Sequence, residues 1–198
     1  MKRYLSAFFA AAVVCSAAYA ETAPLDVVKT AVEGTVQAMK ADPAARNGDM
    51  AKITKVVEER FLPATNFDKT ARIAVGDAWK QATPAQQEEL AKQFKILMTR
   101  TYAASLAQLG TQDAKFAFKD GGKAGSDTLV NSTVTTPGDS QAVGYRLSKA
   151  GTDWKIYDID MSGAWLIQVY QGQFKTVVAQ SGVDGLIQYL KKHNARDE

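Results

Sequence analysis

The chain has 198 residues, 46% hydrophobic and 23% charged, with 24 Lys and Arg against 21 Asp and Glu, one Cys and one His. So even a charge balance excludes the basic footprint of a nucleic-acid binder. The length suits one domain whose core needs no covalent staple.

Residues 1–20 read as an export leader. Lys2 and Arg3 form a basic n-region, residues 5–14 are apolar apart from Ser6, and Ala18-Tyr19-Ala20 presents the small residues that signal peptidase accepts before Glu21. An apolar run of about ten residues is too short to span a ~30 Å hydrocarbon core, so the leader reads as cleaved. Cys15 raises lipoprotein cleavage, but Val13-Val14 ahead of it is bulkier than that pattern accepts. Cleavage removes the one thiol and leaves residues 21–198 as a single, nearly neutral domain in the periplasm, where thiolate chemistry is excluded. No later stretch is apolar and long enough to cross a bilayer.

The first half of that domain has helical periodicity. Pro24 suits a first turn, and Leu25, Val28, Val32, Val36 and Met39 recur every three or four residues. Asp42-Pro43 and Asn47-Gly48 break the pattern. A second helix starts near Asp49, with Ile53, Val56, Val57 and Phe61 on one face, and ends at Leu62-Pro63. Asn66-Phe67-Asp68 opens a third, closed by Gly76. In Thr83-Pro84-Ala85-Gln86, Thr83 caps, Pro84 takes the first helical position and Gln86 completes a capping box. The helix that follows carries Leu90, Phe94, Leu97, Met98, Tyr102, Leu106 and Leu109 as one apolar stripe before Gly110.

From Asp113 the period changes to two. Lys115-Phe116-Ala117-Phe118 is strand-like, and Gly121-Gly122 with Gly125 marks a turn. Residues 128–136 are rich in Thr, Val and Ser, and Pro137-Gly138-Asp139 turns them into residues 141–148, where Val143, Tyr145 and Leu147 share a face. Residues 149–152 turn again into 153–161, completing a four-stranded antiparallel meander. In the last strand, strict alternation points Trp154 and Ile156 one way and Tyr157, Ile159 and Met161 the other. Either both faces are covered or one lines a cavity.

After Gly163 a helix with a wide apolar face runs through Trp165, Leu166, Val169, Tyr170, Phe174, Val177 and Val178 to Ser181-Gly182. Val183, Leu186, Ile187 and Leu190 form one more short helix, and residues 191–198 are a polar tail. Helices, a meander, then helices make an α+β fold, with the sheet covered by N- and C-terminal helices.

Candidate chemistry is sparse. His193 sits in the charged tail beside Lys192, Asn194 and Arg196, away from the cleft that a triad or zinc site requires. The glycine pairs lack phosphate-loop spacing. Asp158 and Asp160, two apart on a strand, share a face as a general acid and base would, yet near a strand end they are expected to meet water. One alternative function is therefore an enzyme for a small hydrophobic substrate with Asp158 or Asp160 as base; another is an interaction module without a pocket.

What the chain has in surplus is apolar surface. The candidate pocket residues are Trp79, Phe94, Leu97, Met98 and Tyr102 from the helices of the first half, Val143, Tyr145, Trp154, Ile156, Ile159 and Met161 from the meander, and Trp165, Val169 and Phe174 from the helix after it. Together these offer more apolar face than one sheet needs to cover.

Two blocks carry a family resemblance. The first runs from Asn66-Phe67-Asp68 through Gly76-Asp77-Ala78-Trp79-Lys80-Gln81-Ala82-Thr83-Pro84-Ala85-Gln86 to Phe94 and Thr101-Tyr102-Ala103. The second comprises Tyr145-Arg146-Leu147, Trp154-Lys155-Ile156-Tyr157-Asp158-Ile159, Gly163, Tyr170, Gln173-Phe174 and Gly182-Val183-Asp184-Gly185-Leu186-Ile187. In order and spacing the chain resembles the MlaC, or toluene tolerance, family of periplasmic phospholipid-binding proteins. After Gly163 that family shows a small polar residue and an Asn-Tyr-Arg run, where this chain has Trp165, Val169 and Gln171. A tryptophan there would narrow the pocket.

The resemblance implies a nuclear-transport-factor-2-like fold with phospholipid acyl chains buried between sheet and helices and no cofactor or metal. It implies a monomeric shuttle that maintains outer-membrane lipid asymmetry. Its partners would be an outer-membrane lipoprotein–porin complex and an inner-membrane ABC transporter complex with a membrane-anchored substrate-binding subunit. The candidate pocket residues would then contact lipid.

Overall fold

The computed structural model describes residues 22–196, so the leader assigned to residues 1–20 lies outside the described residues. Helix α1 (Pro24–Ala41) opens on its proline and buries Val28, Val32, Val36 and Met39. Short side chains start the next helices by accepting orphan N–H groups. Asp42 Oδ1 accepts from Ala44 and Ala45 to begin α2 (Pro43–Arg46), a helical turn where the sequence pattern indicates only a break. Asp49 Oδ1 accepts from Ala51 and Lys52 to begin α3 (Met50–Arg60).

A 3-10 turn (Leu62–Ala64) leads to α4 (Phe67–Val75), where Asn66 Oδ1 accepts from Lys69 N at 3.1 Å. Gly76, at φ +67°, ends α4 and redirects the chain into a short α5 (Asp77–Gln81) that no sequence signal marked. The capping box of Thr83 and Gln86 forms as expected and launches the 28-residue α6 (Pro84–Thr111).

The sheet is an antiparallel meander in the order β1 (Lys115–Ala124), β2 (Asp127–Thr136), β3 (Asp139–Ala150), β4 (Asp153–Met161) and β5 (Ala164–Trp165). Two expectations change here. Gly121-Gly122 is no turn: β1 runs on to Ala124 through a bulge between Asp120 and Gly122, leaving Gly125-Ser126 as a two-residue hairpin loop. The sheet also has five strands, because Ala164 and Trp165 pair with Met161 and Asp160 before the helix begins.

In its middle, at Ile156 and Tyr157, the outer edge of β4 is met by the segment at the start of α4. Asn66 N donates to Ile156 O at 2.7 Å and Thr70 Oγ1 to Tyr157 O at 2.6 Å, so these two carbonyls of the edge are satisfied.

Helix α7 (Leu166–Arg196) bends at Gly182, whose φ of +67° and ψ of −169° divide it into the two helices the sequence indicates. Its last turns are not a free tail. Asn194 Nδ2 donates to Gln93 O and Oε1 at 2.9 and 2.8 Å, and Lys191 pairs with Glu89 at 2.8 Å, docking the end on α6. Hydropathy misses this docking because polar groups carry it.

Three apolar clusters build the interior. One joins α4, α5, α6 and α7 around Leu90, Phe94 and Phe174. A second packs α1 on the sheet through Val28, Val32, Tyr145, Leu147 and Ile156. The third holds α1, α2, α3 and α6 together around Met39, Ile53 and Val57. Helix α1 lies directly on β1, β2 and β4, whereas α6 packs chiefly on other helices and so stands off from the sheet.

Candidate functional site

The space between α6 and the sheet is a cavity of about 590 Å³ at the junction of the three clusters. That exceeds the roughly 300 Å³ lower bound for a small-molecule site, which removes the reading in which every apolar face packs as core. From α6 it is lined by Phe94, Met98 and Tyr102; from β3 by Val143 and Tyr145; from β4 by Ile156, Ile159 and Met161. The floor adds Val32 of α1 and Val57 of α3.

A bulge decides which β4 side chains reach it. Tyr145 lies opposite Ile159, Arg146 opposite Asp158 and Leu147 opposite Ile156, so three residues of β3 span four of β4 and Tyr157 is the extra one. Directly opposed residues share a face, and Ile156 and Ile159 therefore both point toward the cavity. Strict alternation had set them on opposite faces. The two-faced reading of this strand is thus corrected by one inserted residue.

Six candidates lie off the cavity lining. Leu97 and Phe174 are buried in the helical cluster, where Phe174 meets Phe94 edge-to-face at 5.1 Å. Trp79 packs at the margin of that cluster. Trp154 belongs to the α1–sheet cluster, with Lys149 Nζ 5.1 Å from its ring. Val169 is 43% exposed. Trp165 sits beside Gly144 and Asp160 with the Arg146 guanidinium stacked 3.7 Å over its ring. It is not among the residues lining the cavity, because β5 places it beside Gly144, Asp160 and Arg146. Conversely, Leu106, Leu109, Phe116 and Val134 line the space and were absent from the candidates. The α6 stripe and the alternation of β2 contained the signal for three of them.

Among the lining residues the exposed ones are confined to one end: Ser105, Gln108 and Gln112 on the last turns of α6, and Pro137, Gly138 and Asp139 on the β2–β3 turn. This is the mouth. The rest of the wall is buried or half-buried and largely aliphatic or aromatic, with Phe94 held edge-on between Phe67 and Tyr170 at 5.6 and 4.9 Å.

The polar groups of the wall are few. The Thr99 hydroxyl is buried without a hydrogen-bond partner among the described residues. Tyr145 Oη lies 3.4 Å from Ser132 Oγ. Burial, with the nearby Tyr170 and Asp158 adding to it, pushes the Tyr102 phenol well above its ordinary range, so it stays neutral.

Asp158 contradicts the expectation that it meets water: its side chain is fully buried. Burial raises its pKa, opposed by hydrogen bonds from the Ile167 and Ile159 amides and by Arg146. Oδ1 accepts from Ile167 N at 3.1 Å and Ile159 N at 3.0 Å, and Oδ2 accepts from Arg146 Nη1 at 3.0 Å. Asp158 lines the cavity, and three donors engage its carboxylate, tying the start of α7 to the sheet. A general base instead needs a lone pair aimed at substrate. Asp160 Oδ1 accepts from Gly163 N at 2.7 Å and holds the β4–β5 turn. Among the described residues no group of His, Cys, Asp and Glu could hold a metal ion, and no helix is long and apolar enough to cross a membrane. His193 is exposed on the last turn of α7, its ring 6.0 Å from Tyr189.

Comparison with known proteins bears on what such a cavity holds. The structure of the phospholipid-binding protein from Ralstonia solanacearum, in complex with a phospholipid, is similar at 38% identity and a TM-score of 0.82, covering 88% of this chain and 98% of that one. The intermembrane phospholipid transport system binding protein MlaC of Haemophilus influenzae is 22% identical over 188 residues, 90% of this chain and 86% of that protein. The pattern of the family described as MlaC protein runs through residues 29–192, from within the first helix to near the end of the last, and on that evidence the chain belongs to the MlaC family.

Proposed function

We propose that this protein is a soluble periplasmic carrier, exported by the leader at residues 1–20, that buries phospholipid acyl chains in the cavity between α6 and the sheet. The observation that carries this reading is the largely apolar cavity between α6 and the sheet. The relative from Ralstonia solanacearum, solved with a phospholipid bound, supports a lipid as the guest. The name of the Haemophilus influenzae relative supports an intermembrane route.

The thermodynamics suit a carrier without an energy source. Each methylene moved from water into an apolar site is worth about 0.8 kcal/mol, so a two-chain lipid free in water costs tens of kcal/mol. A dry cavity offsets most of that, making exchange with a membrane close to thermoneutral. Direction is then set by partners: an outer-membrane lipoprotein–porin complex at one end, and an inner-membrane ABC transporter complex with its anchored substrate-binding subunit at the other. Through this exchange the carrier maintains outer-membrane lipid asymmetry. Phe94, Met98, Tyr102, Val143, Tyr145, Ile156, Ile159 and Met161 are the residues assigned to chain contact.

Protein purified from its native compartment should release near-stoichiometric phospholipid on denaturing extraction, read by mass spectrometry. Lipid at trace level would overturn the reading.

A further inference from the structure

We propose that Thr99, seconded by Tyr102 on the same face of α6, hydrogen-bonds the ester carbonyls that join a lipid's chains to its glycerol. The cavity then recognises an acyl ester and not a hydrocarbon chain alone, a recognition that rests on the carrier reading above. Thr99 lines the cavity at 5% exposure, and its Oγ1 has no hydrogen-bond partner among the described residues. A buried helical threonine can place its hydroxyl on the carbonyl four residues back. Thr35, also buried, donates to Ala31 O at 2.6 Å, and Thr101, on the same helix as Thr99, donates to Leu97 O at 2.8 Å. The lining hydroxyls of Thr65 and Thr70 are likewise engaged, by Leu62 O and Tyr157 O at 2.8 and 2.6 Å. Ser148 Oγ and Asn194 Oδ1 are also buried and unpaired, but they lie off the lining. Among the described residues, Thr99 Oγ1 is thus the one buried, unpartnered side-chain atom on the cavity wall.

A buried hydroxyl left unpaired carries its full desolvation cost, which an acceptor on the guest removes. Tyr102 stands three residues on, hence on the same helix face, and its phenol in the cavity lining has no hydrogen-bond partner among the described residues. Both groups are neutral donors, and neutral donors suit a neutral acceptor. A phosphate taken to the same depth would need a cation, and among the described residues no Lys, Arg or His lines the cavity. Ser105, the next lining residue of α6 beyond them, is exposed and lies about 9 Å along the helix axis from Thr99. That separation is comparable with the span from a lipid's phosphate to its ester carbonyls. The phosphate therefore stays hydrated while the carbonyls reach the two donors.

The test loads the full mature protein, stripped of lipid, from vesicles holding equal amounts of a diester phosphatidylcholine and its diether analogue with the same chains. Bound lipid is then extracted for mass spectrometry. In the membrane the ester carbonyls are hydrated, so a wall that offered them no donor would favour the diether. With the donors in place, about fivefold enrichment of the diester over the vesicle ratio is expected. Thr99→Val, close to threonine in shape, should bring the ratio to unity or below, Tyr102→Phe should lower it in part, and Thr99→Ser should keep it. Lipid-free Thr99→Val should melt no lower than the unaltered protein; a lower melting temperature would show that the hydroxyl already has a partner inside the protein, and would count against the assignment. A diester share at or below the vesicle ratio in the unaltered protein overturns the ester recognition while leaving the carrier function standing, as does an enrichment that survives loss of the Thr99 hydroxyl. Recovery of neither lipid overturns both. Should the variants fail to fold, the ratio bound by the unaltered protein decides alone, because a wall without donors gives the opposite sign.

Discussion

Arg146 on β3 donates to the buried carboxylate of Asp158 on β4 at 3.0 Å, and that carboxylate in turn accepts the Ile167 amide at the start of α7. Two oppositely charged side chains in register across a bulged strand pair thus fasten the C-terminal helix to the sheet beside the cavity wall.

Removing the cation exposes what the carboxylate costs. Arg146→Met keeps apolar contact with Trp165 but strands Asp158 in a dry site, and breaking a buried pair costs about 3–5 kcal/mol. Arg146 is 31% exposed, so about 2 kcal/mol is expected at pH 7.5. The pH dependence has a definite sign. Burial already holds the folded-state pKa of Asp158 above the ordinary value, so the contribution of its protonated form is fully present below that value and is lost as pH rises through the folded one. Without Arg146 the pKa climbs further. Thermal melts should therefore show a deficit at pH 7.5 that shrinks toward pH 4.5; an equal deficit at both would mean that lost stacking on Trp165, not charge, dominates.

Cavity residues and core residues on the same helix should separate under one substitution. Met98 faces the cavity, whereas Leu97 lies in the helical cluster outside it. Met98→Trp or Val143→Trp fills space a guest would occupy, and lipid recovered with the protein should fall severalfold while the melting temperature holds within a few degrees. Leu97→Trp overpacks a filled core, for which about 1–3 kcal/mol of destabilisation is expected. If all three changes behave alike, the cavity wall is ordinary core.

A second charge cluster governs the acid limit. Lys69 Nζ and Tyr157 Oη both donate to Asp127 Oδ2, at 3.1 and 2.9 Å. Burial opposes the charge on Asp127, but these hydrogen bonds outweigh it and hold the carboxyl below its ordinary range. Stabilisation from such a group is present above the unfolded-state pKa and disappears as pH falls through the lower folded value. The same contact, after burial, pushes the Tyr157 phenol up to about 12. Asp127→Asn should cost about 1 kcal/mol at pH 7 and nothing below about pH 3, as read by urea titration at the two pH values. A cost that persists in acid would assign the effect to packing.

Much of the fold was legible residue by residue, because helix starts and strand alternation are local. Asp49, Asn66 and Thr83 each accept from amides two or three positions ahead, a contact that any chain segment can make before it meets the rest. The period-two patterns of β2 and β3 likewise marked which of their side chains would face inward.

What only the tertiary structure decided is register and enclosure. The insertion of Tyr157 turns Ile156 and Ile159 to the same side, and no local preference announces a bulge whose partner lies ten residues away on another strand. Trp165 looked like a pocket residue by composition, yet pairing with Asp160 sends it beneath Arg146. The hollow between α6 and the sheet exists because three clusters, each assembled from distant segments, meet without closing. Periodicity along a chain says which faces are apolar; how much space is left when they meet depends on distances between elements, and those are set by packing.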